Sequence, residues 1–104
     1  MIYGYARVST QEQINGTSLS EQARRIAGVA QALGLGETEV VTDAGVSGGV
    51  PMDLRPSGGP LLERLQKGDT LIVMKLDRAF RSAEDALAKA RVLGERGVDL
   101  IVAD

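Results

Sequence analysis

The 104-residue sequence contains no cysteine and no histidine. The absence of cysteine excludes disulfide bonds and thiolate chemistry. The absence of histidine excludes Ser-His-Asp triads, Cys-His dyads and most zinc sites. No apolar run approaches the length of a membrane span, and residues 1–8 resemble a strand rather than a signal peptide, so we expect no membrane partner. Any catalysis by this chain must therefore use hydroxyl, carboxylate and cationic side chains.

The composition is that of an ordinary globular domain. Apolar residues make up 43% and charged residues 25% of the chain, and the length fits one domain with one modest core. The net charge of −2 excludes a surface that is strongly basic on average. Nine of the 12 cationic residues are arginine, which suits recognition of phosphate or carboxylate groups, although a GC-rich genome gives the same bias.

The hydrophobic pattern alternates between strands and helices. Four short apolar runs predict strands, at 2–8, 39–42, 70–74 and 98–103. Helical spacing predicts a helix from Ser18 to Leu33, a short helix from Pro60 to Gly68, and a third marked by residues 80, 83, 87, 90 and 94. This order predicts an α/β fold, a three-layer domain with a mainly parallel sheet flanked by helices.

A glycine- and proline-rich stretch at 43–60 interrupts this alternation. It is long for a connection in a small domain, which indicates a functional or a mobile loop. The sequence has neither a P-loop nor a G-x-G-x-x-G motif after the first strand, so we expect no nucleotide cofactor. The only cation of the stretch is Arg55, which either is solvated or turns towards a site at the sheet edge.

Polar side chains follow the predicted strands, at the edge where ligands of parallel sheets bind. Strand alternation places Tyr5, Arg7 and Ser9 on one face of the first strand, and Asp104 follows the fourth strand. The segment after the third strand carries the residues Lys75, Asp77, Arg78 and Arg81. We expect the two arginines to share one side of a helix that starts there, with the aspartate forming a bidentate pair to one of them. The segment suits either phosphodiester binding or a solvated salt-bridge patch.

Together these motifs resemble the catalytic domain of the serine recombinases, the resolvase and invertase family. The resemblance is collinear over essentially the whole chain and rests on YARVST (5–10), SLSEQARRI (18–26), TDAGVSG (42–48) and GDTLIVMKLDRAFR (68–81). It implies a sheet of four to five strands and a reaction that cuts and rejoins DNA through a 5′-phosphoserine intermediate, without metal, ATP or another cofactor. It also implies that the chain is truncated after residue 104, lacking a long helix and a DNA-binding domain.

The resemblance assigns roles residue by residue. Ser9 corresponds to the nucleophile, and the residues matching the family's phosphate-contacting arginines are Arg7, Arg55, Arg78 and Arg81. The remaining matches are Gln22 near the active site, Asp77 as an acidic partner, and Tyr5, Ser47 and Lys75 in supporting positions. Local turn bonding is a simpler explanation for Ser47. The implied partners are a double-stranded crossover site and further copies of the chain, as a dimer that assembles to a tetramer, in the cytoplasm of a prokaryote at the nucleoid.

Two non-catalytic alternatives remain open. A phosphate-sensing module of the receiver type would use Asp43 after the second strand and Lys75 after the third, although no acidic cluster accompanies the first strand. A domain retained for dimerisation is the other alternative, which the intact set of serine and arginines argues against. We expect this piece alone to bind DNA weakly and to recombine nothing.

Overall fold

The structure, a computed structural model, describes residues 1–11 and 18–103 of the chain. Its four strands are β1 (Ile2–Val8), β2 (Glu39–Ala44), β3 (Thr70–Val73) and β4 (Asp99–Val102). They form one parallel sheet in the order β2-β1-β3-β4, which confirms the predicted α/β fold. The polar residues that follow β1, β2 and β3 consequently share one edge of the sheet.

Four α-helices connect the strands, namely α1 (Leu19–Ala32), α2 (Gly58–Arg64), α3 (Leu76–Ala79) and α4 (Ala83–Glu95), with a single 3-10 turn at Met52–Leu54. The predicted start of α1 is confirmed, because the Ser18 hydroxyl accepts a hydrogen bond from the Glu21 N–H at 3.1 Å. Ser82 caps α4 in the same way. The short helix α2 begins two residues before Pro60 and ends at Arg64, ahead of the predicted Gly68.

Glycines end the two long helices as the sequence predicts. Gly34 and Gly97 have φ angles of 71° and 79°, in the left-handed region that an L side chain avoids. The residue after each glycine donates its N–H back into the last helical turn, at 2.9 Å in both helices. Both ends are therefore Schellman motifs, which turn the chain towards the next strand.

Two apolar cores lie on opposite faces of the sheet. On one face, α1 packs through Ile26 and Ala30 against Ala6 and Ile72. The other face packs against the remaining helices through a larger cluster that includes Tyr3, Tyr5, Leu61, Leu71, Val73, Phe80 and Leu93. The three-layer arrangement is thus confirmed, and so is the predicted separation of the odd and even residues of β1.

The predicted apolar face of the third helix is wrong in part. Leu87 is 74% exposed, and the buried residues of α4 are Ala86 and Leu93 instead. Phe80 is buried but precedes the helix, after the one-turn helix α3. The misassignment arose because the pattern was extended through Phe80, which shifts the helical phase.

Candidate active site at the sheet edge

The candidate site lies at the carboxyl edge of the sheet, where β1 sits between β2 and β3. Ser9 follows β1 directly and is partly exposed. In the register, Arg7 lies opposite Asp43 of β2, and Tyr5 lies opposite Val73 of β3. The central strand therefore brings Ser9 to the middle of the edge, with polar segments on both sides.

The Arg7 side chain is buried rather than solvated, with 4% of its surface exposed. Its Nη1 donates to the Val46 carbonyl at 2.7 Å, and its Nε donates to the Arg78 carbonyl at 3.2 Å. A longer contact of 3.5 Å joins Nη2 to the carbonyl of Asp77. The guanidinium consequently ties the end of β1 to the loop after β2 and to helix α3.

Gln22 holds the same strand end from the opposite layer. Its Oε1 accepts from the Arg7 backbone N–H at 3.4 Å, and its Nε2 donates to the Arg7 carbonyl at 3.2 Å. The side-chain amide thus engages both main-chain polar groups of the residue two positions before Ser9. The predicted placement of Gln22 near the site is confirmed, although its contact is with the backbone.

Arg55 is the most deeply buried charged side chain of the described residues, at 1% exposure, so a solvated loop arginine is excluded. Its Nε donates to the Val50 carbonyl at 2.9 Å, and its Nη1 donates to the Arg78 carbonyl at 2.6 Å. Weaker bonds at 3.3 Å reach the Gly48 carbonyl and the Tyr5 hydroxyl. Arg55 therefore fastens the glycine-rich loop to helix α3.

Asp43 completes this buried network, a role that sequence analysis missed. Its Oδ1 accepts from the Ser57 N–H and its Oδ2 accepts from the Gly58 N–H, both at 2.9 Å, where α2 begins. The Tyr5 hydroxyl also donates to Oδ2, at 2.8 Å. Both carboxylate oxygens are therefore engaged, and Asp43 is 3% exposed, which weakens the alternative that it is a phosphoacceptor.

Tyr5 acts through its hydroxyl as well as its ring. Burial raises the pKa of Tyr5 above its ordinary value, while the neighbouring Arg55 partly opposes this rise. The phenol therefore stays protonated and donates to Asp43 while accepting from Arg55. Packing alone, which sequence analysis proposed for this tyrosine, is an incomplete description.

The segment after β3 departs from its predicted geometry. Arg78 lies on α3, but this helix ends at Ala79 and Arg81 lies in the extended link before α4, so the two arginines do not share one helix face. The Arg78 Nε is 3.9 Å from the Asp77 Oδ1, a single long ion pair rather than a bidentate one. The prediction failed because Phe80, with φ −122° and ψ 150°, interrupts the helix after one turn.

The structure therefore gathers only some of the predicted residues. Arg78 and Lys75 line a cleft of about 220 Å³ together with Gln22. Arg81 lines a different cleft of about 260 Å³, at the junction of α3 and α4. Ser47 makes the local turn bond, its hydroxyl accepting from the Gly49 N–H at 3.2 Å.

Within residues 1–11 and 18–103, histidine, cysteine and carboxylate residues form no group of three that could hold a metal ion. No helix in this part of the chain is both long and apolar enough to cross a membrane. Asp104 lies outside the described residues.

Comparison with known proteins agrees with this geometry. The family "Resolvase, N terminal domain" matches residues 2–104. The serine recombinase gin of Escherichia phage Mu is 38% identical over 99 residues, covering 95% of this chain and 45% of the relative. The transposon Tn2501 resolvase of Escherichia coli is 37% identical over 84 residues, covering 81% of this chain and 40% of the relative. This chain thus spans less than half the length of these two relatives.

A solved structure shows the same architecture. The N-terminal catalytic domain of TP901-1 integrase superposes with a TM-score of 0.75 at 32% identity, covering 98% of this chain and 75% of that one. A resolvase family site-specific recombinase from Streptococcus pneumoniae gives a TM-score of 0.74 at 30% identity, with coverages of 98% and 70%. The family match, the relatives and the shared fold together place this chain in the resolvase N-terminal domain family, that of the serine recombinase catalytic domains.

Proposed function

We propose that this chain is the catalytic domain of a site-specific DNA recombinase, with Ser9 as the nucleophile. One observation carries the proposal: two arginine side chains from different segments converge on the main-chain carbonyl of a third arginine. Arg7 and Arg55 both donate to the carbonyl oxygen of Arg78, at 3.2 and 2.6 Å. This convergence concentrates positive charge beside the end of the strand that carries Ser9.

The proposed reaction is a transesterification at phosphorus. The Ser9 hydroxyl oxygen attacks a DNA phosphodiester and gives up its proton, while the 3′-oxygen leaves and takes up a proton. The products are a 5′-phosphoserine ester and a free 3′-hydroxyl, and attack by a 3′-hydroxyl reverses the step. Because one phosphodiester replaces another, resealing requires no ATP.

Arginines suit this chemistry because phosphoryl transfer depends on positioning and positive charge. We assign Arg7 and Arg78 to the scissile phosphate, where removing one such donor typically lowers the rate by about 10²–10³. The Arg55 donors are engaged by protein acceptors, so we assign it to positioning the other two arginines. The contacts of Arg81, Asp77 and Lys75 with DNA remain predictions of the family resemblance, and so does a supporting role for Ser47.

The proposed substrate is double-stranded DNA, and cleavage of both strands requires more than one active site. A dimer that assembles to a tetramer in the full-length protein is therefore part of the proposal. A DNA substrate also fits a prokaryotic cytoplasm as the place of action. The chain alone, with a net charge of −2, is expected to bind DNA only weakly, because affinity for DNA comes mainly from cationic contacts with phosphates.

The decisive experiment is to trap the covalent intermediate. The protein is incubated with plasmid DNA carrying the sequences that flank its gene, in buffer with EDTA and without ATP, and the reaction is stopped with denaturant. We expect peptide mass spectrometry to find a nucleotide adduct on Ser9. The Ser9→Ala variant should form no adduct.

The matched control is Ser20→Ala, which removes an exposed hydroxyl on α1 that contacts only the Ser18 side chain among the bonds described here. This variant should form the adduct like the wild type. An adduct on another residue, or cleavage by Ser9→Ala at the wild-type rate, would contradict the assignment of the nucleophile. Cleavage that disappears with EDTA would contradict the metal-independent reaction.

A further inference from the structure

A cationic cleft extends from the proposed active site along helix α1. It has a volume of about 220 Å³ and is lined by Glu21, Gln22, Arg25, Met74, Lys75 and Arg78. Three of these side chains are cationic and one is anionic, so the cleft has a net charge of about +2 in a chain whose net charge is −2. The cleft is therefore a local reversal of the sign of the molecule.

The cleft adjoins the Ser9 centre through two shared residues. Gln22 binds the Arg7 backbone, and the Arg78 carbonyl accepts from the Arg7 guanidinium. Arg25 lies three residues after Gln22 on α1, so both side chains project from one side of the helix. Arg25 therefore extends the cationic surface away from Ser9, and neither the strand-end motifs nor the family resemblance singled it out.

The dimensions and chemistry of the cleft favour a backbone phosphate as its ligand. The volume is below that of most small-molecule sites, and the lining offers few apolar surfaces apart from Met74. Guanidinium and ammonium groups are the side chains that bind phosphate best. A DNA strand whose scissile phosphate lies at Ser9 presents its neighbouring phosphates along the same edge.

We propose that Arg25, with Lys75, binds a DNA phosphate next to the scissile one. This inference rests on the proposed function. Arg25 contributes to holding the strand and takes no part in the chemical step. Phosphate contacts fix position without reading sequence, so the effect of Arg25 is independent of the DNA sequence.

The test uses the 104-residue chain, ¹⁵N-labelled, titrated with a 16-base-pair duplex of arbitrary sequence at three salt concentrations. We expect amide shifts to map to the first half of α1 and to the β3–α3 junction. Arg25→Gln should weaken binding by about threefold to tenfold at low salt and lower the slope of log K against log salt by ~0.9, the value for one phosphate contact.

The matched control is Arg24→Gln, which removes the same charge from the neighbouring exposed residue of α1 that does not line the cleft. It should change the affinity by less than about twofold. Equal losses in both variants would show that only overall charge matters and would overturn the inference. Shifts elsewhere on the chain, or no saturable binding by the wild type, would overturn it as well.

Inorganic phosphate at matched ionic strength separates a strand subsite from a site for small anions. We expect phosphate to cause no saturable shifts at concentrations where the duplex does, and saturation at similar concentrations would contradict a DNA subsite. The Ser9 adduct is an independent measurement. An adduct with identical Arg24 and Arg25 variants would refute only this inference, whereas a selective Arg25 effect without any adduct would refute the proposed reaction.

Discussion

The two faces of β1 are held in different ways. The face of Gly4, Ala6 and Val8 is apolar and close-packed, and a Cβ added to Gly4 would lie 2.5 Å from the Ile26 Cγ2 of α1. The face of Tyr5 and Arg7 is fixed by directional hydrogen bonds to Asp43, Arg55 and main-chain carbonyls. Apolar packing stabilises without defining orientation, whereas hydrogen bonds define it. The groups proposed to bind phosphate stand on the face where orientation is specified.

The largest effect should come from removing the acceptor at the centre of the polar face. Asp43→Ala leaves three buried donors without their acceptor, namely the Ser57 and Gly58 N–H groups and the Tyr5 hydroxyl. We expect the free energy of unfolding, measured by urea denaturation, to fall by roughly 3–5 kcal/mol. If that variant does not fold, Asp43→Asn, which keeps one carbonyl acceptor, should show an intermediate loss.

The exposed Asp53 serves as a control, because its 3.6 Å ion pair with Lys89 lies at the surface. Asp53→Ala should cost less than about 1 kcal/mol. Equal losses at the two aspartates would mean that the buried network contributes no more than a surface pair.

The apolar face should respond to added volume. Gly4→Ala places a methyl group against Ile26 and should lower the free energy of unfolding by about 1–3 kcal/mol. Gly28→Ala on α1 is the counterpart, since no atom lies within 4 Å of its added Cβ. It should raise stability by about 0.5–1 kcal/mol, through helix propensity alone. Two changes of the same sign would contradict the close approach of α1 to the sheet.

A smaller loss is expected from Tyr5→Phe, which keeps the ring and removes the hydroxyl between Asp43 and Arg55. Asp43 keeps its backbone donors and Arg55 keeps its carbonyl acceptors. The free energy of unfolding should fall by about 0.5–1.5 kcal/mol. In Tyr3→Phe, the control on the same face, a change of similar size would show that the loss is not specific to the network.

Gly48→Ala tests orientation rather than stability. An added Cβ would lie 3.1 Å from the Arg7 Nη2, so this guanidinium must move by a few tenths of an ångström. We expect Ser9 adduct formation to slow by about tenfold, because small misplacements of catalytic groups are costly. Gly49→Ala meets only the Ser47 Oγ at 3.6 Å and should react like the wild type. Equal rates in all three proteins would mean that the Arg7 position tolerates displacement.

The smallest effect concerns acid stability at the opposite edge of the sheet. The Gln66 backbone N–H and the terminal ammonium group hold the pKa of Asp69 below its ordinary value. The carboxylate therefore stabilises the fold above the pKa of the unfolded chain, and this contribution is lost as the pH falls through the lower folded pKa. Between pH 5 and pH 2, Asp69→Asn should lose less stability than the wild type does. An unchanged slope of stability against pH would contradict this.

Local patterns predicted much of the fold. The alternation in β1, the hydroxyl caps of α1 and α4, and the glycines after both helices involve residues at most a few positions apart, and all are confirmed. The errors begin where a helix stops early, as α3 does before Phe80. The contacts of Arg55 with Tyr5, Gly48 and Arg78 join residues up to 50 positions apart. Such contacts depend on the folded loop, which no local periodicity encodes.

Gln22 restricts which residues evolution can accept beside the nucleophile. Its amide offers one acceptor and one donor at the same reach, matching the N–H and carbonyl of Arg7. Glutamate lacks the donor, methionine lacks both groups, and asparagine is shorter by one methylene. Few exchanges at this helix position would therefore leave the end of β1 undisturbed, even though the side chain itself need never meet a substrate.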